Sequence, residues 1–264
     1  LSPLQKGMYF HALVEAEADP YFSQTTYRVT GPLDTALLER SLQLLVQRHD
    51  VLRTVFNHKK ADEIIQIVLR ERSAAFQLLD LRGLGAEAQE QFIANFQEED
   101  RRRGFQLHQD NLLRVTLIQT AERGFTFVCS AHHIIIDGWC QSLLIGEFQE
   151  IYLSLLRGEC PDLPPAGQYR AYIEWLGRQD AAAAQTFWKH YLADYEGQHR
   201  LFAESPAPQR AYENCEISLD LPEALCDRIR TIGKERGLTL SVLLKSLWGV
   251  LLHKYQGTER VLIG

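Results

Sequence analysis

Residues 125–157 change their hydrophobic period once, and abruptly. Phe125 to Ala131 alternate and are rich in β-formers. From Gly138 to Arg157, Leu143, Leu144, Phe148, Ile151, Tyr152 and Leu155 share one face at helical spacing. Between the two lies His132-His133-Ile134-Ile135-Ile136-Asp137. A strand that passes through a short turn into a helix predicts a layered α/β arrangement. Such turns are where a rigid scaffold presents reactive side chains.

The rest of the chain fits that arrangement. Ser2-Pro3-Leu4-Gln5 carries a capping Ser, Pro at the first helical position and Gln three residues after the cap, predicting a helix to about Val14. Residues 22–30 read as a strand. Asp34 caps a helix with Leu38, Leu42, Leu45 and Val46 at helical spacing. Residues 52–57 and 63–69 predict a hairpin, 86–103 a helix, 112–119 and 124–131 two further strands. Pro161, Pro164 and Pro165 mark a boundary loop, and 168–193 read as helix in two pieces. The polar, Pro-containing stretch 196–211 is the best linker. After it come an expected strand (212–219), helices (223–236 and 239–256) and a strand (260–263). The expected division is a first lobe over 1–167, a helical connection over 168–211 and the incomplete start of a second lobe over 212–264. Two helices and two strands bury little apolar area alone, so the chain is expected to continue beyond Gly264.

The chain has 264 residues, 45% apolar and 23% charged, with net charge -6. The balance argues against binding nucleic acid or an anionic membrane, and no apolar stretch reaches the ~18 residues needed to span a bilayer. Cys129, Cys140, Cys160, Cys215 and Cys226 are scattered, without a CxxC pair. They read as free thiols of a cytoplasmic protein rather than a disulfide frame or a zinc site.

The histidine turn carries the chemistry. A neutral imidazole takes a proton near physiological pH, which makes His133 the candidate base. Asp137 is its candidate orienter. Gly138 permits an unusual backbone angle and an unobstructed approach, and the helix start behind it favours developing negative charge. Alternation allows only one of the two histidines to face a cleft; His132 takes the supporting role. No metal is expected: a helical zinc site needs His at i and i+4, and no remote cluster completes a tetrahedron. A Ser hydrolase is weaker still, for want of a G-x-S-x-G turn.

Ala131-His132-His133-Ile134-Ile135-Ile136-Asp137-Gly138-Trp139 resembles the HHxxxDG signature of condensation domains of nonribosomal peptide synthetases. Arg48-His49-Asp50-Val51-Leu52-Arg53-Thr54-Val55-Phe56 resembles the family's RHxxLRTxF motif, and Leu1 to His11 its N-terminal motif. Tyr169 to Trp175 is a weaker match to a fourth. Three ordered motifs are far more specific than HHxxxDG alone.

The resemblance implies a chloramphenicol-acetyltransferase-like fold of two α/β lobes meeting at a cleft, with the second lobe truncated here. It implies peptide-bond formation between a donor acyl thioester and an acceptor aminoacyl thioester. Both would arrive on phosphopantetheine arms of upstream and downstream carrier domains, beside an adenylation domain, with no cofactor held by the domain itself. His133 would meet the acceptor amine, as general base or as the group that positions it. Asp137 would pair with an arginine, Arg53 ahead of Arg48. Ser2-Pro3-Leu4-Gln5-Lys6-Gly7-Met8, Phe10-His11 and Asp137-Gly138-Trp139-Cys140 resemble domains that accept a D-configured donor. Epimerisation domains lack that first motif, and heterocyclisation domains replace the histidines with aspartates. The 264 residues alone are expected to fold mainly over 1 to about 190 and to be inactive. The competing readings are an acyl-CoA-dependent acyltransferase and a non-catalytic carrier-docking module of the same fold.

Overall fold

In chain order the strands are β1 (Phe22–Thr30), β2 (Thr54–His58), β3 (Ile64–Val68), β4 (Ala75–Asp80), β5 (Leu113–Ala121) and β6 (Gly124–His132). The helices are α1 (Pro3–Val14), α2 (Thr35–Arg48), α3 (Ala86–Arg103), α4 (Gly138–Leu156), α5 (Tyr169–Leu176), α6 (Ala181–Tyr191), α7 (Glu223–Arg236) and α8 (Leu240–Gln256). This computed structural model describes residues 1–14, 19–58, 64–195, 217–258 and 260–262. It divides into two units, Leu1–Gln179 and Asp180–Gly264.

The first unit is built on a four-stranded sheet in the order β1-β6-β5-β4. β6 runs antiparallel to both β1 and β5, and β4 runs parallel to β5. The parallel pair is joined by α3, the crossover that two parallel neighbours require. Period-two alternation divides the side chains of the two central strands between two layers. Leu117 and Phe125 pack with Leu38 of α2 and Tyr152 of α4. Ile118 and Val128, one step out of phase, pack with Ile93 of α3 and with Leu81. Odd-numbered positions of β5 and β6 therefore face α2 and α4, and even-numbered ones face α3. The largest cluster carries this packing through Leu42, Leu45, Phe56 and Ile151 to Ile134 and Ile135 in the turn after β6.

Local signals placed most of these elements. The Asp34 side chain accepts from Leu37 N–H at 2.9 Å to start α2, and Ser2 Oγ accepts from Gln5 N–H at 3.1 Å to start α1. The expected strand from residue 52 begins later, because Asp50–Arg53 form a 3-10 turn ahead of β2. β4 was not anticipated. Its Ala-Phe-Gln-Leu-Leu-Asp shows no alternation, and it becomes a strand because β5 offers a partner edge.

In the second unit, α7 ends at Gly237 in the left-handed conformation (φ 63°), with Leu238 N–H donating to Gly233 O at 2.8 Å. α8 follows directly. The linker expected at 196–211 and the first half of the strand expected at 212–219 lie outside the described residues. The described residues of the two expected strands, 217–219 and 260–262, are not strand. A strand forms when its N–H and C=O groups pair with a neighbour, and the described residues of these two stretches take no part in a strand ladder. Among the described residues, no helix is long and apolar enough to cross a membrane.

Candidate functional site

β6 ends at His132, and the next five residues turn into α4. The Asp137 side chain starts that helix by accepting from Cys140 N–H at 2.8 Å. That bond holds the Asp137 carboxyl below its ordinary range. The two histidines part as alternation requires. His132 is fully buried and His133 is exposed.

His133 Nδ1 lies 3.1 Å from Ile136 O. A carbonyl oxygen only accepts, so a hydrogen bond there puts the proton on Nδ1 and leaves Nε2 as the basic nitrogen. His132 is oriented from the other side. Its Nδ1 accepts from Ile134 N–H at 3.0 Å, and its Nε2 stands 3.0 Å from Asp19 Oδ2. Tyr21 and Phe105 rings wall it in.

Gln5 reaches the same turn from α1. Its Nε2 donates to Ile134 O at 2.9 Å, while its Oε1 accepts from Ser2 N–H at 3.1 Å. One buried side chain thus closes a capping box and ties the first helix to the histidine turn. The cap was legible in the sequence; the contact 129 residues away was not.

His133, Asp137 and Gly138 border a half-open cavity of roughly 370 Å³ lined by the sheet, α2 and α4. Its walls are mostly apolar, among them Leu38, Leu42, Phe127 and Phe148. Gln141 of α4 spans a polar patch of its lining, donating to Tyr27 Oη at 3.0 Å and Thr25 Oγ1 at 3.3 Å. Cys129 also lines it, and burial pushes that thiol up to about 11. At neutral pH it is therefore no thiolate nucleophile.

Two expectations about the site are corrected. Neither arginine pairs with Asp137. Arg48 Nε donates to Glu147 Oε2 at 2.8 Å, and its Nη2 also reaches Pro164 O. Glu147 is on α4 as well, but the helical rise puts it about 15 Å along the axis from Asp137. Arg53 turns back on its own segment, with Nη2 donating to Asp50 Oδ1 at 2.5 Å and Nε to Val46 O at 3.1 Å. Among the described residues no arginine forms an ion pair with Asp137. Gly138, second, has no left-handed backbone; it is the first residue of α4. A Cβ there would meet nothing within 4 Å, so the unobstructed approach stands without the unusual angle. Among the described residues no three His, Cys, Asp or Glu side chains are grouped to hold a metal.

The family model described as "Condensation domain" matches residues 1–264. The chain belongs to the condensation-domain family. This condensation domain is 37% identical over 265 residues to surfactin synthase subunit 3 of Bacillus subtilis, covering all of this chain and 21% of that protein. It is 34% identical over 265 residues to bacitracin synthase 3 of Bacillus licheniformis, covering all of this chain and 4% of that one. It thus spans a small part of the curated relatives it matches. Among solved structures, it is similar to the first condensation domain of the CDA synthetase, with TM-score 0.79 and 20% identity. That match covers 99% of this chain and 62% of the other. The expected chloramphenicol-acetyltransferase-like fold is the one found.

Proposed function

We propose that this domain forms a peptide bond between a carrier-bound donor acyl thioester and a carrier-bound acceptor aminoacyl thioester, with His133 meeting the acceptor amine. The observation that carries the reading is the 3.1 Å approach of His133 Nδ1 to Ile136 O. With the proton directed to Ile136 O, Nε2 is left unprotonated at the edge of an apolar cavity, where an amine proton can be received. The amine nitrogen attacks the thioester carbonyl, the C–N bond forms and the C–S bond breaks. The amine proton leaves through His133 to the departing thiolate, which ends as the free thiol of the donor arm. The start of α4 lies beside this point, and its dipole favours the negative charge that develops on the carbonyl oxygen.

Membership of the family and the likeness to peptide synthetases support this reading over an acyl-CoA-dependent transferase or a non-catalytic module. Upstream and downstream carrier domains would then deliver both substrates on phosphopantetheine arms, in the cytoplasm, beside an adenylation domain. The motif residues from Ser2 to His11 and from Asp137 to Cys140 favour a D-configured donor residue. The parts correspond to a first lobe over 1–167, a connection over 168–211 and the start of a second lobe over 212–264. Because the chain covers 62% of a solved condensation domain, the 264 residues alone are expected to make no product.

The test is His133→Ala in the full-length polypeptide that carries this domain, with both carriers loaded and product counted per turnover. Loss of a general base removes roughly a hundredfold or more of the rate. Undiminished condensation by that variant would falsify the assignment. Donors of each configuration, offered in the same assay, test the subtype; preference for the L donor sinks it.

A further inference from the structure

His132 has no exposed surface, yet it is a titratable ring with two nitrogens to satisfy. Its Nδ1 accepts from Ile134 N–H at 3.0 Å. An accepting ring nitrogen carries no proton, so in the neutral ring the proton is on Nε2. That nitrogen stands 3.0 Å from Asp19 Oδ2, off the line of a straight hydrogen bond, so its N–H sits beside a carboxylate oxygen. The opposite tautomer would aim a proton at the Ile134 amide, setting two donors face to face. A carboxylate beside Nε2 selects against it.

Asp19 is itself held in place. Its Oδ1 accepts from Tyr21 N–H at 2.9 Å, and its carbonyl from Phe22 N–H at 3.2 Å. Tyr21 O in turn accepts from His133 N–H at 2.9 Å. The short stretch 19–22 therefore grips both histidines, one through a side chain and one through the backbone. Burial pushes the Asp19 carboxyl up, but His132 and the Tyr21 amide beside it outweigh that and hold it below its ordinary range.

We infer that Asp19 is a positioning residue for amide formation: through His132 it fixes the peptide at Ile134, and with it the direction in which His133 is held. The inference rests on the reading of His133 as the group that meets the amine. No motif marks Asp19, and it stands 113 residues from the ring it orients.

The experiment uses the full-length polypeptide with loaded carriers. Asp19→Leu is expected to lower kcat by roughly ten- to a hundredfold, the scale of a small displacement of a catalytic group, with KM for the loaded carriers within about twofold. Asp19→Asn retains an acceptor oxygen and is expected to recover most of the rate. In a His132→Asn background an amide oxygen takes the place of Nδ1 and has no ring tautomer to choose. There Asp19→Leu is expected to cost nothing further. An equal loss in both backgrounds overturns the inference. So does an Asp19→Leu protein of unchanged kcat, or one whose loss only follows its melting temperature. If His132→Asn does not fold, the recovery by Asp19→Asn decides alone. Failure of the underlying reading is recorded elsewhere, as full activity in His133→Ala.

Discussion

Replacing Gln5 by Leu isolates what the contact between α1 and the histidine turn contributes. The side chains are close in volume, so no cavity term enters. What is lost is polar. Ile134 O loses the donor at 2.9 Å and Ser2 N–H loses the acceptor at 3.1 Å, while the bond from Gln5 N–H to Ser2 Oγ survives because it uses backbone. Each stranded buried partner costs about 1–3 kcal/mol. Ser2 is itself buried, so the two losses together come to about 2–6 kcal/mol. Chemical denaturation of the full condensation domain reads this as a lower midpoint at constant slope. Gln5→Glu separates the two bonds: a carboxylate still accepts from Ser2 N–H but cannot donate to Ile134 O. Both variants are therefore expected to slow condensation, with only Gln5→Leu also losing the bond from Ser2 N–H. If Gln5→Leu kept its unfolding free energy within about 0.5 kcal/mol, the scale of an ordinary surface change, and kept its rate, the proposed bracing of the turn would be wrong.

Acid should loosen the connection between α2 and α4. Arg48 first, then His49 at 2.6 Å, hold the Glu147 carboxyl below its ordinary value of 4.5. The stabilisation is present above that value and is lost as pH falls through the lower folded one. Glu147→Gln should flatten the acid limb of a stability–pH curve; an unchanged limb contradicts the assignment. At Gly138, Ala adds a Cβ that meets nothing within 4 Å on a helical residue. Gly138→Ala should then hold or raise stability by up to about 1 kcal/mol. A fall in condensation rate without a fall in melting temperature would report a substrate passing close to that backbone; an unchanged rate would show that none does.

Legibility followed sequence distance. The caps at Asp34 and Ser2 and the opposed faces of His132 and His133 rest on contacts within about four residues, and they were read directly. The arginines were misassigned for two different reasons: Arg48 by distance, and Arg53 because several carboxylates compete for a guanidinium and spacing does not say which one wins. Arg48 meets Glu147 across 99 positions and Arg53 meets Asp50 across three, and neither choice leaves a trace in composition or spacing. Gln5 was seen as half of what it is. Asp19 was not seen at all, since a lone aspartate before Pro20 looks like any turn residue.

By itself, then, the sequence determined the strand–turn–helix, the helix starts and which histidine faces out, because alternation and capping are properties of neighbouring residues. Tertiary structure alone decided what stands behind the turn: Asp19 on His132, Gln5 on Ile134, Glu147 between Arg48 and His49, and β4 beside β5. Those pairings join residues that become neighbours only once the sheet and its helices have packed, and burial then makes each of them costly to break.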